Sequence, residues 1–402
     1  MQGVRGKEHK NNLALSPTGE KTLRTLSDNA HSLFGSIMIL DFVAGLLIVG
    51  DGYPIPGLGV PVSMISLGMI CLLGVIRGAK NTTGVYFVAF AAVVFGVFWT
   101  TIVSLSLDVP YVELGKRVVR ILAVVVGAIF IAERRVDPVS LIKGLMAGLM
   151  LNVALFYSHL APDFYGGALT GYLGDKNKAG LYYFVGGLAA MAVSKKPKHT
   201  VIIFVFTAAM VWLTGSRTTL AGLLVASLWT YLATKMGKPL RYMFGILLVL
   251  MVRFIEANFS RVGVFTNRLG SDLLRERIDR ASLIKLNGSP FEGRGFGQAY
   301  VMLDGKSWYF HNAYWTLQVE GGLVYFILVV GATLLVGLGV FRNTPYTLPL
   351  RKAEGALAGL FVAAWKLGEV MLTNAWMLVV GLLVLYILES SNKLQESSTL
   401  KS

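Results

Sequence analysis

The sequence predicts an all-α polytopic membrane protein with about 12 transmembrane helices. Hydrophobic residues make up 54% of the 402 residues and charged residues only 15%, whereas a soluble domain averages about 45–50% and about 25%. Apolar runs of about 17–25 residues, long enough to cross a bilayer, recur from Ser32 to Leu388. A transmembrane β-barrel would instead show alternating segments of about ten residues, so we expect helices throughout.

Hydropathy divides the chain into 12 predicted spans. They lie at residues 33–50, 57–76, 84–106, 118–132, 139–159, 179–194, 200–214, 218–235, 239–256, 312–341, 354–372 and 375–389. The predicted order is a tail at 1–32, nine spans within 33–256, a large outer loop at 257–311, three spans within 312–389, and a tail at 390–402. No internal repeat of 20–50 residues and no second domain is visible.

Lysine and arginine set the predicted orientation. They cluster in alternate connections, which places those connections and both termini on the cytoplasmic side. The clusters are Arg77 and Lys80; Arg134 and Arg135; Lys195, Lys196 and Lys198; Lys235, Lys238 and Arg241; and Arg342, Arg351 and Lys352.

The net charge of +15 leaves a surplus of cations on the outer side. Charge at the edge of a membrane is costly unless it is paired or functional, and the outer acids are too few to neutralise it. The surplus therefore predicts an anionic ligand on the outer side. Its members are Lys116, Arg117, Arg120, Lys176, Lys178, Arg217, Arg261, Arg268, Arg275, Arg277, Arg280, Lys285, Arg294 and Lys306.

The stretch LTGSRTTLAG at 213–222 joins the seventh and eighth spans with almost no loop, so Arg217 is expected at the membrane surface. Ser216 or Thr218 can cap the eighth span and leave backbone N–H groups facing outward. A helix N-terminus beside a guanidinium favours phosphate binding. The alternative is an arginine that merely extends its charge toward water.

An amphipathic helix is predicted in the outer loop, where Leu274, Ile278, Ala281, and Ile284 or Lys285 follow helical spacing. Its basic residues favour either phosphate binding or contact with anionic lipid. Glu276 and Asp279 lie among these basic residues and are expected to pair with Arg280 at i,i+4 or with other neighbours. The glycine-rich turn that follows lacks the third glycine of a dinucleotide fingerprint.

His311 and Asn312 stand at the entrance to the tenth span, and only His159 and His311 among the five histidines are expected on the outer side. Asn312 is a candidate N-cap. A helix N-terminus disfavours an imidazolium, and a neutral imidazole can accept a proton as a general base. The alternative is a polar residue within an aromatic belt made by Trp308, Tyr309, Tyr314 and Trp315.

The remaining polar residues bear on two questions, metal binding and charge within the eleventh span. No set of acidic, histidine or cysteine residues has the spacing of a metal site, so we expect no metal. Lys366 and Glu369, three residues apart in the eleventh span, are expected either to pair with each other or to line a cavity.

Four motifs in order resemble landmarks of the O-antigen ligase and O-antigen polymerase superfamily. They are GDKNKAG (174–180), LTGSRTTLAG (213–222), RERIDRASLIKLNGSPFEGRGFG (275–297) and HNAYWTLQVEGG (311–322). The resemblance covers roughly residues 110–325. It implies a glycosyltransferase fold of the C type (GT-C) in the bacterial inner membrane, with the active site facing the periplasm. It also implies a donor glycan on undecaprenyl diphosphate. Single displacement of the lipid diphosphate by an acceptor hydroxyl would invert the anomeric configuration, and we expect no cofactor.

The resemblance also implies roles for individual residues. His311 matches the family's catalytic loop histidine, and Arg217 matches an arginine that binds diphosphate. Counting back about 15 residues from the Pro-Phe-x-Gly turn gives Arg275 as the second diphosphate ligand, with Arg277 as a competitor. Lys116 and Arg120, at the start of the fourth span, match basic residues of the family less directly and are further candidates for diphosphate binding. Asn312 and Glu320 are expected to have supporting roles. The family usually has an apolar residue where this chain has Arg294.

Three functions remain open at this stage. A ligase would transfer the whole glycan to lipid A–core, and the single large outer loop favours it. A polymerase would transfer the glycan to another lipid-linked repeat unit. A flippase or secondary transporter would be of another class, and its usual repeats and interrupted helices are not evident in the sequence.

Overall fold

The computed structural model describes residues 38–107, 110–259, 269–337 and 346–399, and helices dominate it. The predicted tail at 1–32 and the outer cations Arg261 and Arg268 lie outside these residues. The helices are α1 (Ile39–Leu47), α2 (Ser63–Ile76), α3 (Tyr86–Ser106), α4 (Tyr111–Ala132), α5 (Pro138–Tyr157), α6 (Lys176–Val193), α7 (Pro197–Thr214), α8 (Arg217–Tyr231), α9 (Lys238–Phe259), α10 (Leu269–Asn287), α11 (Ala313–Phe326), α12 (Ala332–Gly337), α13 (Leu348–Ala364) and α14 (Asn374–Thr399). The strands β1 (Tyr300–Leu303) and β2 (Lys306–Tyr309) form an antiparallel hairpin.

Five helices in the described part of the chain are long and apolar enough to cross a membrane. They are α3, α5, α7, the 25-residue stretch from α11 through a π-helical turn to α12, and residues Asn374–Asn392 of α14. Each of the other seven predicted spans also contains a helix, but α1, α2, α8 and α13 have only 9, 14, 15 and 17 residues. The all-α, membrane-spanning architecture is thus supported, whereas the count of 12 spans stays a prediction.

The interior of the bundle is formed by α6 and α14. Every residue at 179–192 and at 374–387 is buried, as expected for helices that are apolar on all sides. Elsewhere, small residues allow close helix contact. A Cβ on Gly144 of α5 would lie 1.8 Å from the Phe42 carbonyl oxygen of α1, and one on Gly359 of α13 would lie 2.5 Å from the Gly222 oxygen of α8.

One end of the bundle gathers basic connections that the sequence placed on a common side. Arg77, after α2, pairs with Asp41 at 2.8 Å, and Arg134, after α4, pairs with Glu389 of α14 at 2.6 Å. Arg135 donates to the Arg77 carbonyl oxygen at 3.4 Å. These connections therefore share one end, and their assignment to the cytoplasm stays a prediction.

The tenth predicted span is interrupted. Gly321 and Gly322 of α11 have non-helical backbone angles, and the turn at 290–297 fills the break. Arg294 N–H donates to the Val319 carbonyl oxygen at 2.7 Å, and Gly295 N–H donates to that of Glu320 at 2.8 Å. Non-helical backbone within a membrane is tolerated where protein covers it. The interruption thus anchors the outer loop to the bundle.

The apolar face of α10 packs on protein. Ile278 is 1% exposed and clusters with Phe310 and Val319. Ile284 and Lys285 were the two candidates for the fourth position of this face. Lys285 occupies it, since its Nζ donates to the Tyr300 carbonyl oxygen at 2.8 Å, whereas Ile284 is exposed. Burial, and then the nearby Arg294 charge, lower the pKa of Lys285. The apolar face is therefore covered by protein, and contact of the basic face with anionic lipid stays an alternative.

Candidate functional site

His311 lies at the junction of the outer loop and α11. Asn312 is the N-cap of α11, because its Oδ1 accepts hydrogen bonds from the backbone N–H groups of Tyr314 at 3.0 Å and Trp315 at 3.2 Å. This confirms the capping role predicted for Asn312. His311 is thereby held just before the first turn of the helix.

The carboxylate of Asp279 lies between the His311 imidazole and the ammonium group of Lys366. Asp279 of α10 places Oδ1 3.7 Å from His311 Nδ1, and Lys366 Nζ lies 3.8 Å from the other carboxylate oxygen. His311 Nδ1 is buried without a hydrogen-bond partner. The ring is 29% exposed, and Nε2 makes no hydrogen bond with the described residues, so the imidazole presents Nε2 outward and Nδ1 toward Asp279.

The segment after α13 was expected to be helical, and here the sequence prediction is wrong. The helix ends at Ala364, so Lys366 and Glu369 lie in an irregular connection and do not pair with each other. Gly368 packs against the loop, since a Cβ there would lie 1.8 Å from the Phe310 carbonyl oxygen. As a result, Lys366 faces Asp279, whereas Glu369 lines a cavity.

The cavity has a volume of about 270 Å³ and both signs of charge. Lys178 is paired with Asp51 at 3.2 Å, whereas Arg120 and Glu369 make no hydrogen bond or ion pair within the described ranges. Gly368, the residue before Glu369, packs on the His311 backbone, since a Cβ there would lie 3.8 Å from His311 Cα. The wall of the cavity that Glu369 forms therefore lies close to His311. Its polar and charged lining is Asp51, Ser63, Arg120, Lys178, Tyr182, Glu369, Thr373 and Asn374.

Of the cations that open α4, only Arg120 lines the cavity. Lys116 pairs instead with Glu113 at 3.0 Å on the surface, where both side chains are largely exposed. Such surface pairs contribute about 0–1 kcal/mol. The structure therefore does not bring Lys116 to the cavity.

Sequence reasoning counted Arg117 in the surplus of outer cations but missed the protein carboxylate that engages this arginine. Its Nη2 lies 2.7 and 2.8 Å from the two carboxylate oxygens of Glu320. Glu320 also accepts a hydrogen bond from Gly297 N–H at 3.0 Å, so the supporting role expected for Glu320 has a structural basis. Helical spacing could have predicted that Arg117 faces the protein interior, because it lies three residues after Leu114 and four before Ile121, both of which are buried.

Arg217 is half-buried in the first turn of α8. Ser216 occupies the N-cap position, but its side chain makes no capping bond, and its hydroxyl lies 3.4 Å from Asn177 Oδ1 in the first turn of α6. Asn177 is next to Lys178 of the cavity. The side-chain cap expected from Ser216 is therefore not formed, and the N-terminus of α8 adjoins the cavity end of α6.

The two candidate arginines of α10 differ in their surroundings. Arg277 pairs with Asp304 of the hairpin turn at 3.0 Å, with both side chains exposed. This hydrogen bond lowers the pKa of Asp304 and raises that of Arg277. Arg275 is half-buried and precedes Asp279 by one helical turn, on the same side of the helix. Of the two arginines, Arg275 is therefore the one on the His311 side.

Further polar residues of the loop have structural partners. Arg280 pairs with Glu276 at 3.3 Å, as the helical spacing predicted. Arg294 Nε donates to the Ser289 hydroxyl at 2.9 Å, so this arginine braces the turn. Within the described ranges no group of three or more histidine, cysteine or carboxylate side chains is arranged for a metal ion. Metal independence stays a prediction.

Two comparisons with known proteins return nothing: no family model matches the chain, and no curated protein matches it.

Proposed function

We propose that this protein is a membrane glycosyltransferase of the O-antigen ligase type. The donor would be a glycan on undecaprenyl diphosphate and the acceptor lipid A–core, at the periplasmic face of the bacterial inner membrane. No cofactor or metal is required in this proposal. The fold would be of the GT-C type with 12 spans.

The observation that carries the proposal is the orientation of His311. Its Nε2 is the accessible nitrogen, its Nδ1 faces Asp279 at 3.7 Å, and Asn312 holds the backbone at a helix N-terminus. A neutral imidazole with one free nitrogen can take a proton from a hydroxyl. The adjoining cavity contains Arg120, whose guanidinium is available to a ligand.

The proposed reaction is a single displacement. The acceptor hydroxyl oxygen attacks the anomeric carbon of the donor sugar, and its proton passes to His311 Nε2. The bond from the anomeric carbon to the diphosphate oxygen breaks, and its electron pair stays on the diphosphate. Attack from the face opposite the leaving group inverts the anomeric configuration.

Fixed cations would stabilise the charge that grows on the leaving diphosphate. Arg217 at the N-terminus of α8, Arg275 on the Asp279 side of α10, and Arg120 in the cavity are our candidates. A guanidinium suits this role because it forms paired hydrogen bonds to phosphate oxygens. Arg277 and Lys116 are less suited, since surface carboxylates already engage them.

The experiment that tests the proposal uses the purified full chain in nanodiscs, with undecaprenyl-diphosphate-linked glycan, lipid A–core and excess EDTA. We expect glycosylated lipid A–core and free undecaprenyl diphosphate. Longer glycans that remain on the carrier would indicate a polymerase instead. Absence of any new glycosidic bond, with active protein verified by donor binding, would overturn the proposal.

A transporter is the second candidate, because interrupted helices such as α11 occur at transporter binding sites. In this chain, however, the freed carbonyl oxygens of the break already accept protein donors, including Trp99 Nε1 at 3.1 Å from the Gly321 oxygen. A substrate would have to displace those donors. Movement of intact donor across a proteoliposome membrane, without covalent change, would favour the transporter.

A further inference from the structure

We infer that Asp279 is a positioning residue, which accepts the Nδ1 proton of His311 and so keeps the Nε2 lone pair free for the acceptor hydroxyl. The inference rests on the proposed function, and it adds a carboxylate that orients the imidazole to a site for which His311 was the sole predicted base.

Geometry supports this role on both partners. His311 Nδ1 is buried without a hydrogen-bond partner, and Asp279 Oδ1, at 3.7 Å, faces it. A buried polar nitrogen is costly unless it is hydrogen-bonded. The gap is only slightly longer than a hydrogen bond, and catalytic hydrogen bonds are often long in unliganded enzymes and shorten when the substrate binds.

The surroundings hold the carboxylate of Asp279 in place. Lys366 Nζ lies 3.8 Å from Oδ2, which leaves Oδ1 for the imidazole. On α10 itself, Ile278 is packed between the hairpin and α11, so the adjoining Asp279 is fixed in position. Arg280, the next residue, is directed away to Glu276. His311 and Lys366, which come from two different segments, thus meet one carboxylate of α10.

Asp279→Asn tests the role in catalysis. An asparagine amide can donate to Nδ1, which stabilises the tautomer with the proton on Nε2 and blocks proton acceptance there. We expect kcat to fall on the order of tenfold or more, with little change in the KM for donor. Asp304→Asn is the matched control, because it makes the same change at an exposed residue that pairs with Arg277.

A spectroscopic measurement tests the same role without substrate. In the full chain with ¹⁵N-labelled histidine, the His311 signals are identified by their loss in His311→Gln. We expect a neutral ring protonated at Nδ1 in the unmodified protein and in Asp304→Asn, and a shift toward the Nε2-protonated ring in Asp279→Asn. An identical tautomer in all three proteins would overturn the inference.

The two measurements separate this inference from the proposed function. If the unmodified protein performs no transfer but Asp279→Asn changes the tautomer, the positioning role stands and the glycosyltransferase proposal fails. If transfer occurs and Asp279→Asn changes neither kcat nor the tautomer, the proposal of function stands and the role of Asp279 fails.

Discussion

Arg117 and Glu320 join two segments that are 203 residues apart, with Arg117 Nη2 2.7 Å from one carboxylate oxygen. The Glu320 side chain is 3% exposed, and it also binds the backbone of Gly297 in the outer loop. One carboxylate therefore ties α4, the interrupted helix α11 and the loop before His311 together.

The first prediction concerns the stability of this ion pair. Arg117→Met should lower the free energy of unfolding by about 3 kcal/mol, because it leaves the Glu320 carboxylate buried without its cation. Reversible unfolding in mixed micelles measures the change. Lys116→Met is the control, since Lys116 makes only a surface pair with Glu113. Equal stability of the two variants would contradict the structural role of Arg117.

The second prediction concerns the interruption of α11. Gly322 has φ +68° and ψ −166°, a region open almost only to glycine, and a Cβ there would lie 1.8 Å from the Phe291 carbonyl oxygen. Gly322→Ala should therefore displace the 290–297 turn and lower both the unfolding temperature and transfer. Gly331→Ala should do neither, because its Cβ would meet only Ile327 Cγ2 at 3.9 Å. Similar unfolding temperatures for both variants would show that the break is not required.

The third prediction separates Arg275 from Arg277. Arg275→Ala should lower transfer at least about tenfold, as expected for a lost charge-stabilising hydrogen bond of about 1.4 kcal/mol. Arg277→Ala should lower it much less, because Arg277 is exposed and its guanidinium is already engaged by Asp304. Initial rates at saturating donor provide the comparison. A larger loss for Arg277→Ala would reverse the assignment.

Sequence patterns predicted the helical elements well and the connections poorly. Apolar runs are local, so their helices could be located, and the Asn312 cap followed from the residue type and its position. The break at Gly321 and Gly322 could not be read from an apolar run, because it depends on donors from a turn about 30 residues earlier. The hairpin at 300–309 was missed for a related reason, since its strands are only four residues each.

The sequence allowed several residues of the site to be predicted, but not the residues that they contact. His311 and Arg120 were expected at one end of the bundle, and the structure places both near the segment at 365–373. That segment was expected to be helical because its neighbours are apolar. Its irregular path, which turns Lys366 toward Asp279, depends on the close contact of Gly368 with Phe310. Contacts of that kind are set by tertiary packing.

The fourth prediction concerns Arg217. Arg217→Lys keeps the charge but loses the planar pair of donors, so turnover should fall on the order of tenfold or more. Arg217→Ala should be slower still, and donor affinity should fall because the bound diphosphate is already charged. Turnover and donor binding in nanodiscs, with folding checked by size exclusion, provide the test. Full turnover of the lysine variant would leave Arg217 as an interfacial charge only.

The most direct test of the account is His311→Ala in the purified transfer assay. We expect the variant to fold, to bind lipid-linked donor and to form no glycosidic bond, because it removes the nitrogen that accepts the proton of the acceptor hydroxyl. His159→Asn is the control: it removes the other outer histidine, and asparagine tolerates the φ of +59° found there. It should retain full transfer. Turnover near that of the unmodified protein in His311→Ala would contradict the general-base role on which the proposed function depends.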